Sequence, residues 1–185
     1  MAIKTFTTGE VLTASDTNTY LANAGLVYVA QKAFSASTAE NIDDCFTTSF
    51  DHYLIVGSFT SNADATLYYL LRDGTTTNTG TNTDNVEYYQ AWGAATVTGQ
   101  VASAQTGSRF GYADLTYGST FALTIFNPKA ATYTFAEYVS SGGDYAVRGN
   151  ARHTVNTAYE GIRITTVTGT AQLTGTITVY GYRLG

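Results

Sequence analysis

The chain has 185 residues, of which 12% are charged and 14% aromatic, and its formal net charge is −5. That length suits one domain with a small appendage and buries a core without metal or disulfide help. So many aromatic residues beside so little charge exclude disorder, and an acidic chain without a Lys/Arg cluster is not expected to bind nucleic acid.

Residues 1–25 stand apart. Met1 to Phe6 lacks the apolar run of a secretory signal, so synthesis in the cytoplasm is expected. Thr13-Ala14-Ser15-Asp16 has the spacing of a capping box, and Gly25 suits the left-handed position just past a helix end. The pattern predicts a short helix over residues 14–23. Its apolar side chains are only Ala14, Tyr20, Leu21 and Ala22, and a helix this short is marginal in water. It must dock on its own domain or on another protein.

From Leu26 the signals become those of strands. The first spans residues 26–35, with Leu26, Tyr28, Ala30 and Phe34 expected on one face. Residues 51–60 follow, then residues 65–72, where Tyr68, Tyr69, Leu70 and Leu71 make both faces apolar. Such a strand is expected to be covered twice, in the domain core and against a neighbouring subunit. Asp73-Gly74 marks a turn, and residues 75–83 read as a surface loop of Thr, Asn and Gly. Further strands are expected at residues 86–92, 109–114, 119–126, 132–139 and 145–154. The clearest pair is last. Residues 161–167 set Ile162 and Ile164 against Arg163 and Thr165, and residues 173–182 set Leu173, Gly175, Ile177 and Val179 against Thr174, Thr176, Thr178 and Tyr180. The single proline, in Asn127-Pro128, follows a strand, where it breaks no ladder.

About nine or ten strands, spaced roughly 8 to 15 residues apart without crossover helices, predict an all-β fold. The expected architecture is an antiparallel two-sheet β-sandwich, jelly-roll-like, over residues 26–185. Residues 1–25 are expected to form an N-terminal arm containing one helix.

Chemistry-bearing motifs are scarce. Cys45 is alone and reads as a small buried apolar residue. His52 and His153 lie in no metal-ligand spacing, and there is no nucleophile elbow, P-loop or zinc-protease motif. No catalytic residue, metal or cofactor is therefore expected, and the chain reads as a non-enzyme. The apolar runs are too short to span a bilayer, so membrane insertion is not expected. Asp43, Asp44, Asp84, Glu87, Asp114, Glu137, Asp144 and Glu160 are the acids available to a glycan hydrolase, and most adjoin turns, where Asp serves the backbone. Tyr88, Tyr89 and Trp92 could stack on the sugar rings of a host glycan. Burial of the same three in the core or a subunit interface is the competing expectation.

Two stretches resemble bacteriophage proteins. Phe6, then Gly9-Glu10-Val11-Leu12-Thr13-Ala14, then Asn18-Thr19-Tyr20-Leu21 are similar to an opening common in phage tail-fibre-like and other virion proteins. Phe46 with Phe50 to Val56, Leu70 to Gly74, Ile125 to Pro128 and Gly175 to Gly181 occur in the order seen in a widespread phage virion β-sandwich domain. The resemblance implies a virion structural protein, homotrimeric, located in the particle. Its arm would bind other virion proteins of tail or capsid through Phe6, Val11, Leu12, Tyr20 and Leu21, with the sandwich facing outward for host contact. The alternatives are a capsid cement or decoration protein of the same fold and a host-glycan depolymerase. The absence of a repetitive solenoid pattern argues against the last.

Overall fold

The computed structural model describes residues 7–11, 13, 25–167 and 171–182. Among these the protein is all-β: β1 (Leu26–Ser37), β2 (Ala39–Ile42), β3 (His52–Ser61), β4 (Ala65–Asp73), β5 (Thr76–Thr77), β6 (Thr83–Ala91), β7 (Thr98–Gln105), β8 (Ser108–Ala113), β9 (Ser119–Phe126), β10 (Thr134–Gly142), β11 (Tyr145–His153), β12 (Gly161–Thr166) and β13 (Leu173–Tyr182). Every pairing is antiparallel. The helix expected over residues 14–23 lies outside the described residues.

The strands form two sheets. The larger runs β1-β13-β3-β9-β10-β11-β6-β7, and the smaller runs β2-β12-β4-β5, with β8 also pairing β4. Eight strands pair in the order β1-β13-β3-β9 and β2-β12-β4-β8. The others are insertions: β5 to β7 between β4 and β8, and β10 with β11 between β9 and β12. Four of the five inserted strands widen the large sheet beyond β9.

Alternating side chains make the core. On the large sheet Tyr53 and Ile55 of β3, Leu123 and Ile125 of β9, and Ile177 and Val179 of β13 are buried. They share one cluster with Leu67, Tyr69 and Leu71 of β4 and Ile162 and Ile164 of β12. Each such side chain contributes about 1.5–3 kcal/mol by leaving water. Phe110 of β8 joins the layers, edge-on to Phe121 with ring centres 4.9 Å apart.

The expected alternation of β12 and β13 is present, with Ile162, Ile164, Leu173, Ile177 and Val179 all buried. The first strand differs. Leu26 and Tyr28 face outward while Phe34 is buried. A register shift between Tyr28 and Ala30 changes the face that the following residues present, as a β-bulge does by inserting one unpaired residue. A second shift, between Phe34 and Ser37, contains Ala36 at φ 50°, and the chain then passes from the large sheet into β2 of the small one. The supposed loop over residues 75–83 contains β5 and the first residue of β6. The outer face of β4 is only half exposed at Tyr68 and Leu70, because the turn at Gly107 lies against both side chains.

The register also gives the sandwich two poles. Leu26 pairs with Tyr182, Tyr182 with His52, and His52 with Phe126, at what we term the proximal pole. Ser37, Ser61, Ser119, Gly142, Tyr145 and Ala91 lie at the distal pole, together with the connecting residues 62–64, 92–97, 114–118 and 143–144. The chain enters β1 at the proximal pole.

Candidate functional site

The distal connections enclose a cleft of about 370 Å³, lined by Asp64, Tyr112, Asp114, Asp144, Tyr145 and Val167 among others. Its aromatic floor begins deeper in the core. Glu87 of β6 is buried on the inner face of the large sheet, and Arg109 of β8 places Nη2 2.9 Å from its Oε1. The Arg109 guanidinium lies 5.0 Å from the Tyr112 ring centre and 5.8 Å from that of Tyr89, within cation–π range. It also donates to the Tyr112 hydroxyl. A register shift opposite Leu67 and Tyr68 brings Arg109 and Tyr112, three residues apart, onto one side of β8. Tyr112 then stacks on Tyr145 at 4.8 Å and 29°, and Tyr145 meets Tyr89 edge-on at 6.0 Å. One ion pair thus fixes three tyrosines, two of which line the cleft.

Burial sets the electrostatics here. It pushes the Glu87 carboxyl above the usual carboxylate range, against the opposing pull of Arg109. Burial likewise raises the Tyr112 phenol, with Arg109 again opposing, and the Tyr138 phenol, with Glu87 adding to the rise. Glu87 Oε2, Arg109 Nε and the Tyr138 hydroxyl have no hydrogen-bond partner among the described residues.

The rim is shaped by carboxylates. Asp64 Oδ1 accepts from the Leu115 N–H at 2.9 Å, and Asp114 Oδ1 accepts from the N–H groups of Thr116 at 2.8 Å and Tyr117 at 2.6 Å. These bonds hold the 114–117 turn so that Leu115 is exposed and Tyr117 is 79% exposed. Gly143, at φ +41°, approaches the Asp114 carboxylate too closely for any side chain. On the adjoining turn Trp92 is 64% exposed, and its N–H donates to the Asp144 carbonyl at 2.9 Å. The pole therefore carries hydrogen-bond acceptors beside aromatic faces.

Of the sequence-derived candidates, Trp92 stands at this rim. Tyr89 is half-buried in the tyrosine cluster, while Tyr88 is exposed on the opposite face of the sheet, beside Gly99 of β7. The three do not share a surface. Val11 is exposed next to the Thr7–Glu10 turn, and Phe6, Leu12, Tyr20 and Leu21 lie outside the described residues. Four of the eight acids are held in ion pairs: Asp43 with Arg72, Asp84 with Arg152, Glu87 with Arg109 and Glu160 with Lys129. Arg152 and Lys129 hold the Asp84 and Glu160 carboxyls below their usual range. Asp114 and Asp144 line the cleft, Glu137 is exposed on β10, and Asp44 occupies a turn at φ 55°. Cys45 is buried, and desolvation pushes its thiol up to about 12. Among the described residues no His/Cys/Asp/Glu group is arranged to hold a metal ion, and no helix is long and apolar enough to cross a membrane.

His153 is buried at the proximal end of β11. Its Nδ1 lies 3.1 Å from Thr83 Oγ1 and its Nε2 2.6 Å from the Tyr159 hydroxyl, which accepts from Asn78 at 2.9 Å. A neutral ring satisfies all three: Nδ1–H donates to Thr83 and Nε2 accepts from Tyr159. Burial accordingly lowers its proton affinity.

No protein-family model matches the chain, and no curated protein compared with it is similar.

Two measurements test this interior. Arg109→Ala leaves the Glu87 charge buried and unpaired and is expected to cost about 3–5 kcal/mol in urea unfolding; a Glu87→Gln/Arg109→Met double variant should recover much of it. For His153 the unfolded chain binds the proton more readily than the folded one. Its contribution to stability is therefore complete above pH 6.5 and is lost as pH falls from 6.5 toward the lower folded value. Wild type should lose up to about 1.4 kcal/mol per pH unit from this group there, and the His153→Gln unfolding curve should lack that component.

Proposed function

We propose that the chain is a non-enzymatic structural protein of a bacteriophage particle, a homotrimeric tail-fibre, spike or knob component. Its N-terminal arm holds other virion proteins, and its sandwich is displayed for host contact. The carrying observation is the opposition of the two poles. The chain enters β1 at the proximal pole, whereas Trp92, Leu115, Tyr117 and the acid-rimmed cleft lie at the distal one. The strand orders β1-β13-β3-β9 and β2-β12-β4-β8 support a jelly roll with a widened sheet, an architecture used in capsid and lectin domains. The phage-like motifs of residues 5–21 supply the attachment half of the reading.

In this reading the distal pole takes a host-surface glycan. Sugar rings present C–H faces that pack on aromatic side chains such as Trp92 and Tyr117, and their paired hydroxyls donate to carboxylates such as Asp114 and Asp144. Each contact is weak. Threefold presentation makes the second and third encounters intramolecular, so modest affinity per site gives lasting attachment.

Immunogold electron microscopy of intact particles, with antibody against residues 26–185, tests the location. Label at fibres or tail tip is expected, label spread over the head would place the protein as capsid cement, and unlabelled particles would overturn the virion assignment. In assembled phage, Trp92→Ala with Tyr117→Ala should lower adsorption to host cells; unchanged adsorption would remove the distal pole from host contact.

A further inference from the structure

Among the described residues, the outward face of the large sheet carries many exposed apolar side chains between polar ones. Across the proximal half its register places Leu26, Tyr182, His52, Phe126 and Phe135 side by side in one row. The next row carries Tyr28 edge-on to Tyr180, their ring centres 6.4 Å apart. On the inserted strands Phe135 and Val139 are 48% and 53% exposed, and Val86, Tyr88 and Val101 are exposed as well. These residues run from β1 at one edge of the sheet to β7 at the other, and none belongs to the buried core cluster.

Two charges lie among these side chains. Glu137 of β10 and Arg148 of β11 are exposed, and neither belongs to any of the ion pairs among the described residues. Glu137 stands opposite Asn150, and Arg148 opposite Val139. Both line one shallow depression of about 350 Å³ with Ala122, Thr124, Val139 and Asn150. Other charges of the large sheet, such as Asp84 with Arg152, are already paired on its surface.

We propose that this face is where copies of the chain associate, with Glu137 of one copy meeting Arg148 of the next. The inference rests on the homotrimer reading and supplies its surface. One unpaired charge of each sign on the same face lets Glu137 of each copy meet Arg148 of the next around a closed ring, the heterologous contact that a cyclic trimer requires. The size also fits. Seven inter-strand spacings and three side-chain rows cover roughly 700 Å², close to the ~800 Å² per partner of a standard interface. Apolar area supplies the attraction, and the charge pair sets the register.

The test is the solution mass of the full chain and three variants, by light scattering across a micromolar concentration series, with circular dichroism confirming the fold. Wild type is expected at three times the 19.7 kDa of one chain, and a mass of two chains would overturn the trimer. Val139→Arg, and the single reversals Glu137→Arg and Arg148→Glu, should each raise the dissociation constant at least about tenfold. The double variant E137R/R148E should restore association, whereas V139R combined with either reversal should not. If wild type is assembled and all three single variants stay assembled, this surface is wrong and the trimer stands. A wild-type mass of one chain at every concentration would overturn both, leaving the face to a different virion protein.

Discussion

The sandwich depends on its last strand. β13 pairs with β1 on one side and β3 on the other, and it sends Leu173, Ile177 and Val179 into the core. Among the described strands β1 has no other partner in the large sheet. The first and third strands are therefore joined only by the thirteenth, and the layers cannot close until nearly the whole chain is present. Pairings of such sequence separation carry a large loop-closure entropy before they give any stability. The alternation of β13 is correspondingly strict, since a slip of one residue would turn three core side chains to the outside.

Beneath the large sheet the core has two characters. Under β3, β9 and β13 it is aliphatic and aromatic. Under the inserted strands it is mixed, with Thr83, Asn85, Glu87, Thr134, Ser140 and His153 buried beside Ala136, Tyr138, Val147 and Ala151. β8 provides the complement through Ser108, whose hydroxyl lies 3.1 Å from the Asn85 side-chain amide, and through Arg109. A buried ion pair is a poor source of stability, because desolvation offsets most of its attraction. Its effect here is geometric. A planar guanidinium set between tyrosine rings fixes the orientations of Tyr89 and Tyr112, and the floor of the distal cleft inherits that rigidity.

Most strands were legible as a period of two bounded by turn residues, and those at residues 161–167 and 173–182 most clearly, because one face is aliphatic and the other Thr or Arg. β7 was not. Thr98-Gly99-Gln100-Val101-Ala102-Ser103 has no buried face to write a pattern, since an edge strand supported on one side only is exposed nearly throughout. The bulge in β1 was equally silent, being a property of pairing rather than composition. At the site, Trp92 was visible as an aromatic next to a turn. Grouping it with both Tyr88 and Tyr89 ignored the strand's own parity, which sends neighbouring residues to opposite faces. The Glu87–Arg109 pair needed the topology: β6 and β8 meet only because the inserted strands fold back under the smaller sheet.

The register between Leu26 and Tyr182 has a practical consequence for grafting. The segments before and after the sandwich leave from one corner, on adjacent strands only about 5 Å apart. A cargo fused beyond Tyr182 would crowd the entry of the chain into β1 at Leu26. A peptide spliced into residues 93–97 would be carried at the far pole, beside Trp92.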